Sequence, residues 1–272
     1  MKGNNMHKRL VSVMMVVVLL TAGLAATGCP LPGRILDITG STTVMPASKE
    51  LAEAFMEKHP DVTIHVSGGG SSDGVRLVTE RIADIGNSSR ELKAEEKDAW
   101  PELITHHIAG DTIAVVVHPD NKVTNLTIEQ IRDIYAREIT CWAQAGGDPG
   151  AIAVISREEG SGTRAVFEEV VMGDKRILPG ANFLMSNDAV RTAVQGTPLA
   201  IGYISSPYLI PEVKALDING WAWTAADYPL PIRRLYKLTM GEPAGLVKEF
   251  LDFVLSPEGQ KVVEQAGFLP VG

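Results

Sequence analysis

Cysteine is nearly absent: 272 residues hold two, Cys29 and Cys141. Without a Cys-x-x-Cys pair they cannot by themselves build a zinc or iron–sulfur site. Positive charge is also scarce, with 25 Lys and Arg against 33 Asp and Glu and a formal net charge of −8. Lys2, Lys8 and Arg9 fall in the first 28 residues, which contain no acid, so the remainder is more acidic still. Nucleic-acid binding relies on clustered Lys and Arg that release counterions, and this composition argues against it. Histidine stops at His118. There is no repeat of fixed period and no low-complexity tract. At 45% hydrophobic and 21% charged, the chain is neither disordered nor collagen-like and can bury a core. Its length fits one or two domains.

Residues 1–28 read as an export signal. Lys2, Lys8 and Arg9 make a basic start, Leu10–Ala26 is free of charge, and small residues precede Cys29. Ala26-Thr27-Gly28-Cys29 resembles a lipobox, in which Cys29 becomes the lipidated first residue and 29–34 a short tether. The alternative is a retained membrane helix, for which Leu10–Ala26 falls just short of the roughly 20 residues needed. Both readings hold the folded part outside the cytoplasm at a membrane, in the periplasm or at the cell surface. With Cys29 lipidated, no disulfide is available, and Cys141 is expected as a free, buried thiol.

Hydrophobic periodicity predicts strands at 35–38, 62–66, 83–86 and 113–118, with helices at 47–58 and 75–81 between the first of them. That order argues for an α/β fold with a parallel sheet. A second unit follows, with helices at 127–135, 164–172 and 189–195 and strands at 152–155 and 201–204. A late strand at 235–239 and closing helices at 244–255 and 257–266 end the chain.

Three segments share one design of strand, small-hydroxyl loop and helix: ITGSTTVMP, HVSGGGSSDGVRLV and ISREEGSGTRAVFEE. Ser, Thr and Asp before a helix are ordinarily caps for free backbone N–H groups. Three such loops in one chain, with glycines beside them, also describe an anion pocket. Glycine lets backbone approach a ligand, and helix N-termini supply N–H donors and partial positive charge. Arg157 leads the third loop, and Arg90 follows Asn87-Ser88-Ser89 at a strand end. A guanidinium fork matches a tetrahedral oxyanion. Each arginine could instead sit in an ion pair, Arg157 with Glu158 or Glu159.

Gly70-Ser71-Ser72-Asp73-Gly74 fits the G-x-S-x-G nucleophile elbow, so a serine hydrolase using Ser72 must be weighed. In that fold the histidine follows both serine and acid. Here the last are His106, His107 and His118, too early for that order. Nor do His106 and His107 suggest a metal, since neighbours on a strand point to opposite faces.

GSTTVMPASKELAEAF, SGGGSSDGVRLV, ADIGNSSREL, GDTIAVVVHPDN, REEGSGTRAVFEE, AIGYIS and FLDFVLSPEGQKVV, in this order over residues 35–272, resemble the phosphate-binding proteins of high-affinity phosphate ABC transporters. The resemblance implies a two-lobed solute-binding fold of the type II periplasmic kind, each lobe a mixed sheet flanked by helices. One lobe would be 35–117 with 232–272 and the other 118–231, with 113–118 and 235–239 as crossing strands. It implies a monomer that binds inorganic phosphate and delivers it to membrane permease subunits, without catalysis, metal or cofactor. Matched by motif, phosphate contacts would come from Ser41, Thr42 and Thr43, from Ser71 and Ser72, and from Ser88 or Ser89 with Arg90 nearby. Arg157, Ser161, Gly162 and Thr163 would close from the other lobe. Long members of the family carry an Asp where this chain has Ser89, and that Asp accepts the proton of hydrogen phosphate. The role then passes to Asp73 or Glu159, with Asp73 preferred, or to Ser89 with backbone carbonyls. A same-fold binder of sulfate, molybdate or tungstate is the alternative function.

Overall fold

The computed structural model describes residues 33–271. The expected export signal and Cys29 lie outside the described residues. Among the described residues, no helix is long and apolar enough to cross a membrane.

The first part of the chain builds β1 (Arg34–Gly40), α1 (Met45–Lys58), β2 (Val62–Val66), α2 (Ser71–Thr79), β3 (Ile85–Ser88), α3 (Ala94–Ala99) and β4 (Leu103–Asp111). A second set follows: β5 (Ile113–Val117), β6 (Asn125–Leu126), α4 (Ile128–Tyr135), β7 (Ala153–Arg157), α5 (Gly162–Phe167), β8 (Asn182–Leu184), α6 (Asn187–Gln195), β9 (Ala200–Ser205), β10 (Lys214–Ala215) and β11 (Asp217–Ile218). The chain ends with β12 (Arg233–Met240), α7 (Gly245–Leu255), α8 (Pro257–Gln265) and β13 (Leu269–Pro270).

Two main sheets result. The first has the order β13-β4-β12-β3-β1-β2 and the second β10-β5-β9-β7-β8. The βαβαβ start makes β2, β1 and β3 parallel as expected. β12 and β4 join that sheet antiparallel, so it is mixed. The chain passes from one sheet to the other at Thr112, between β4 and β5, and returns before β12.

Two boundaries expected from the sequence move. Ile113–Val117, grouped above with residues 35–117, belongs to the second sheet, because β4 rather than β5 pairs with β12. Arg34, assigned to the tether, already pairs with Val62 in β1 and bridges Asp61 and Glu249. β4 itself escaped the periodicity reading because polar residues break its apolar pattern. Thr105 and His107 face solvent, and half-buried His106 hydrogen-bonds the Thr239 hydroxyl at 2.8 Å.

Helices cover both faces of each sheet. On the first sheet, Leu51 and Phe55 of α1 pack with Phe250 and Val254 of α7 and Val263 of α8. Val75 and Val78 of α2 cover the opposite face with Leu238. On the second sheet, Ile131, Ile134 and Tyr135 of α4 meet Phe167 and Tyr203, whose rings stack at 4.0 Å. Val190 and Val194 of α6 cover its other face. A Cys141 thiol half-buried at a bridge to Ala151 is free, less enclosed than the sequence suggested. Gly40 ends β1 at φ +124°, where a Cβ would stand 2.4 Å from the Asn87 carbonyl oxygen and 2.7 Å from Gly74 Cα. Only glycine lets β1, β3 and α2 approach this closely.

Lys237 of β12 is fully buried under α1 and α7. Its Nζ donates to Ser48 Oγ at 3.0 Å and Asn87 Oδ1 at 3.2 Å, over the Phe250 ring. Burial strips the ammonium of water and pulls its pKa down to about 7, against about 10.4 in an unfolded chain. The unfolded state holds the proton more tightly, so stability rises with pH between about 7 and about 10. Lys237→Met is therefore expected to raise the melting temperature most at or below about pH 7, with the gain shrinking toward about pH 10. Thermal unfolding across that range checks this, and a pH-independent gain would contradict it.

Candidate functional site

The three hydroxyl loops converge. Ser41, Thr42 and Thr43 lie between β1 and α1, Ser71 opens α2, and Ser161, Gly162 and Thr163 lead into α5. All seven are buried, as are Ser88, Ser89 and Arg157. Ser41 Oγ donates to Ser89 Oγ at 2.9 Å, and the Ser89 amide donates to Ser71 Oγ at 3.0 Å. The second sheet meets these groups directly. Thr163 Oγ1 is 3.0 Å from Thr43 Oγ1, and the Ser72 amide donates to the Gly160 carbonyl at 3.1 Å. A Cβ on Gly162 would stand 2.3 Å from Ser71 Oγ and 2.6 Å from Ser89 Oγ, so glycine is required for this approach. Ser161 also caps α5, accepting from the Arg164 amide at 3.2 Å.

Hydroxyl directions follow by elimination. Thr43 Oγ1 accepts from Asn187 Nδ2 at 3.0 Å and Arg233 Nη2 at 3.2 Å. Both lone pairs are then used, so its one proton is left to donate, to Thr163 Oγ1 or to an anion. Thr163 keeps its own proton to donate.

Arg157 ends β7 with its side chain 1% exposed. Tyr203, stacked on Phe167, fixes this strand end: its hydroxyl meets Ser156 Oγ at 2.8 Å and accepts from the Arg157 amide at 3.3 Å. The guanidinium grips Glu158 through Nε and Nη2, each at 2.9 Å, and Nη2 reaches Thr42 Oγ1 at 3.2 Å. Nη1 is buried and donates to no group among the described residues. Glu158, not Glu159, pairs with the arginine, and Glu159 is exposed.

Other expected residues stand aside from this cluster. Asp73 turns to Arg76 at 3.1 Å with its side chain 42% exposed, so it is not poised as an acceptor within the site. Arg90 commits its charge to Glu96 at 2.8 and 2.6 Å and touches the site only through Nη2, which donates to Ser72 Oγ at 3.2 Å. Burial alone would raise the Glu96 carboxyl, but hydrogen bonds from Arg90 and the Lys93 amide outweigh it and hold its pKa below the usual value. Ser88 Oγ closes a local turn by donating to the Arg90 carbonyl at 2.8 Å. Ser72 is half-buried, and its recorded side-chain partner is Arg90, not a histidine. Of the described histidines, His59 stacks on Phe55, and His65, His106, His107 and His118 bond elsewhere. No group of three or more His, Cys, Asp or Glu suited to a metal ion occurs among the described residues.

Four contributors escaped the sequence reading. Arg233 at the start of β12 and Asp111 at the end of β4 form a buried pair beside Thr43. Asn187 opens α6 and donates to Thr43, while Tyr208 donates its hydroxyl to the Thr42 carbonyl at 2.6 Å. Arg233 left a trace, since it shares the period-two phase of buried Leu235. Asn187 and Tyr208 sit in segments with no loop signature.

Comparison with known proteins is consistent with this architecture. A family model described as a PBP superfamily domain matches residues 30–258. The phosphate-binding protein PstS of Bacillus subtilis (strain 168) is 35% identical over 245 residues, covering 87% of this chain and 80% of that protein. A candidate phosphate ABC transporter substrate-binding protein from Clostridium perfringens, solved with bound phosphate, is 38% identical with a TM-score of 0.83, covering 88% of this chain and all of that one. An ABC-type phosphate transport receptor from Vibrio cholerae is 35% identical with a TM-score of 0.71, covering 87% of this chain and all of that one. The mixed sheets flanked by helices are those of a type II periplasmic binding protein, and the chain belongs to the PBP superfamily and, within it, to the family of phosphate-binding proteins of ABC transporters.

Proposed function

We propose that this chain captures inorganic phosphate outside the cytoplasm and delivers it to the permease subunits of an ABC importer. The observation that carries the reading is Arg157 Nη1, a buried cationic donor without a partner among the described residues, on a guanidinium whose Nη2 reaches the Thr42 hydroxyl in the loop before α1. A buried guanidinium N–H left unpaired is costly, and an oxyanion satisfies it. Phosphate contacts come from Thr42, Thr43, Ser41, Ser71, Ser89, Arg157, Ser161, Gly162 and Thr163. Ser72 adds its hydroxyl from the rim. The two sheets form two lobes that pivot at Thr112 and near Ile232 and close on the anion without covalent chemistry. The protein works as a monomer, tethered through lipid on Cys29.

Sulfate is the rival ligand, favoured by one observation. The two carboxylates of the site, Glu158 and Asp111, are both occupied by arginines. The phosphate proton is then accepted by a hydroxyl such as Ser89, and no free carboxylate rejects sulfate by meeting its bare oxygen.

Calorimetric titration with phosphate and with sulfate across pH tests the function. Phosphate is expected to bind more tightly than sulfate. Its affinity should rise as dihydrogen phosphate loses its second proton, because a donor-lined site favours the higher charge. Sulfate binding tighter than phosphate at neutral pH would overturn the reading. Arg157→Ala is expected to weaken phosphate binding by roughly thirtyfold or more, the loss for one partner of a buried charge-assisted contact. An unchanged dissociation constant would remove Arg157 from the site.

Asp73 provides a further check. Bonded to Arg76 outside the cluster, it should not govern selectivity. Asp73→Asn is expected to leave the ratio of phosphate to sulfate affinity as in the wild type. A fall in phosphate affinity with a gain for sulfate would return Asp73 to the acceptor role.

A further inference from the structure

Arg233 and Asp111 stand where the chain crosses between the sheets. Asp111 is the last residue of β4, one position before Thr112, and Arg233 is the first of β12. Their side chains are 0% and 4% exposed. Asp111 Oδ2 accepts from Arg233 Nε at 2.9 Å and Nη2 at 2.6 Å, and Oδ1 accepts from Ser206 Oγ at 3.2 Å. A buried pair with this geometry can be purely structural, and apolar replacements of such pairs are often neutral.

The rest of the guanidinium points to more than that. Its other contacts run to the anion loops: Nη2 to Thr43 Oγ1 at 3.2 Å and Nη1 to the Ser89 carbonyl at 3.4 Å. An arginine has five N–H groups, so one on Nη1 is left over. Arg157 donates neither N–H of its own Nη1 to a group among the described residues. The two cations therefore reach neighbouring hydroxyls, Thr42 and Thr43, with spare donors. Burial lowers the pKa of Arg233 most, Asp111 opposes this, and the charge of Arg157 lowers it further, so the two guanidiniums lie within each other's field. An anion between them relieves the repulsion.

We propose that Arg233, gripped by Asp111, is a second cationic contact for the bound phosphate, supplied from the pivot between the lobes; this rests on the phosphate-binding reading above. Arg157 arrives from the second sheet and Arg233 from the first, so one anion holds both lobes by charge. Asp111 acts as a positioning residue, with Ser206, in the turn just after β9, on its other oxygen.

The test compares wild type, Arg233→Met and the double variant Arg233→Met/Asp111→Asn. Inorganic phosphate is titrated by calorimetry at low and high salt, and circular dichroism reports folding. The double variant removes both buried charges, so it separates a lost ligand contact from an abandoned carboxylate. The expected result is a loss of about tenfold or more in phosphate affinity in both variants, with the shallower salt dependence in Arg233→Met, which leaves the Asp111 carboxylate unpaired beside the anion. A double variant within about threefold of wild type would make the pair structural only and overturn the proposal. Should the double variant fail to fold, Arg233→Lys decides. Lysine keeps the charge but cannot span Asp111, Thr43 and Ser89 together, so weakened binding supports the proposal and wild-type affinity overturns it. A wild-type protein that takes up no phosphate would overturn the function itself, a different result from variants that bind as well as wild type.

Discussion

A buried guanidinium needs a fixed carboxylate, and this constraint organises the site. Arg157 is enclosed at the end of β7 and would be intolerable there alone. Glu158 neutralises it from the adjacent position, but a bidentate grip through Nε and Nη2 leaves Nη1 facing the other way. Charge is thus nearly balanced while donor capacity is not. Such a site attracts an anion through directed hydrogen bonds more than through surplus charge, which reconciles anion capture with a chain of net charge −8. The aromatic stack of Phe167 on Tyr203 belongs to the same arrangement, because the Tyr203 hydroxyl holds the backbone from which Arg157 projects.

Close approach is the second requirement, and glycine meets it in two layers. Gly40 lets the first hydroxyl loop lie against β3 and α2, so Ser41, Ser71 and Ser89 share one small space. Gly162 then admits the second sheet's loop onto those same oxygens. The hydroxyls satisfy one another within hydrogen-bond distance. A methyl group at either glycine would force apart the elements that bring the donors together.

What was legible in the sequence follows from which signals are local. The three loops announced themselves because strand, small residues and helix are contiguous, and Ser41, Ser71, Arg157 and Thr163 lie in them. Helix α4 was readable from Ile128, Ile131 and Ile134 on one face, and β5 from its unbroken apolar run. Arg233, Asp111, Asn187 and Tyr208 were not, since each reaches the site only because distant segments pair. The placement of Asp73 has the same origin. Its sequence position beside Ser71 and Ser72 suggested the site, but one helical turn offers it Arg76, and a local partner wins over a buried, already crowded space. Arg90 went the same way, to Glu96 of α3, a helix without apolar periodicity to reveal it.

The lobe boundary shows how topology and chemistry are tied. Grouping residues 113–117 with the first unit treated the apolar strand as a continuation of what precedes it, but pairing assigns it to β9 and β10. The crossing then falls at Thr112, immediately after Asp111. A carboxylate at that position lies against the return crossing and can hold an arginine from it, as Arg233 does. The same residues that end one strand and begin another are therefore close to the anion loops, and a charge placed there acts on both. Where the chain crosses between the two sheets, a single side chain can touch the site from the crossing itself, and Arg233 does so through its contacts to Thr43 and Ser89.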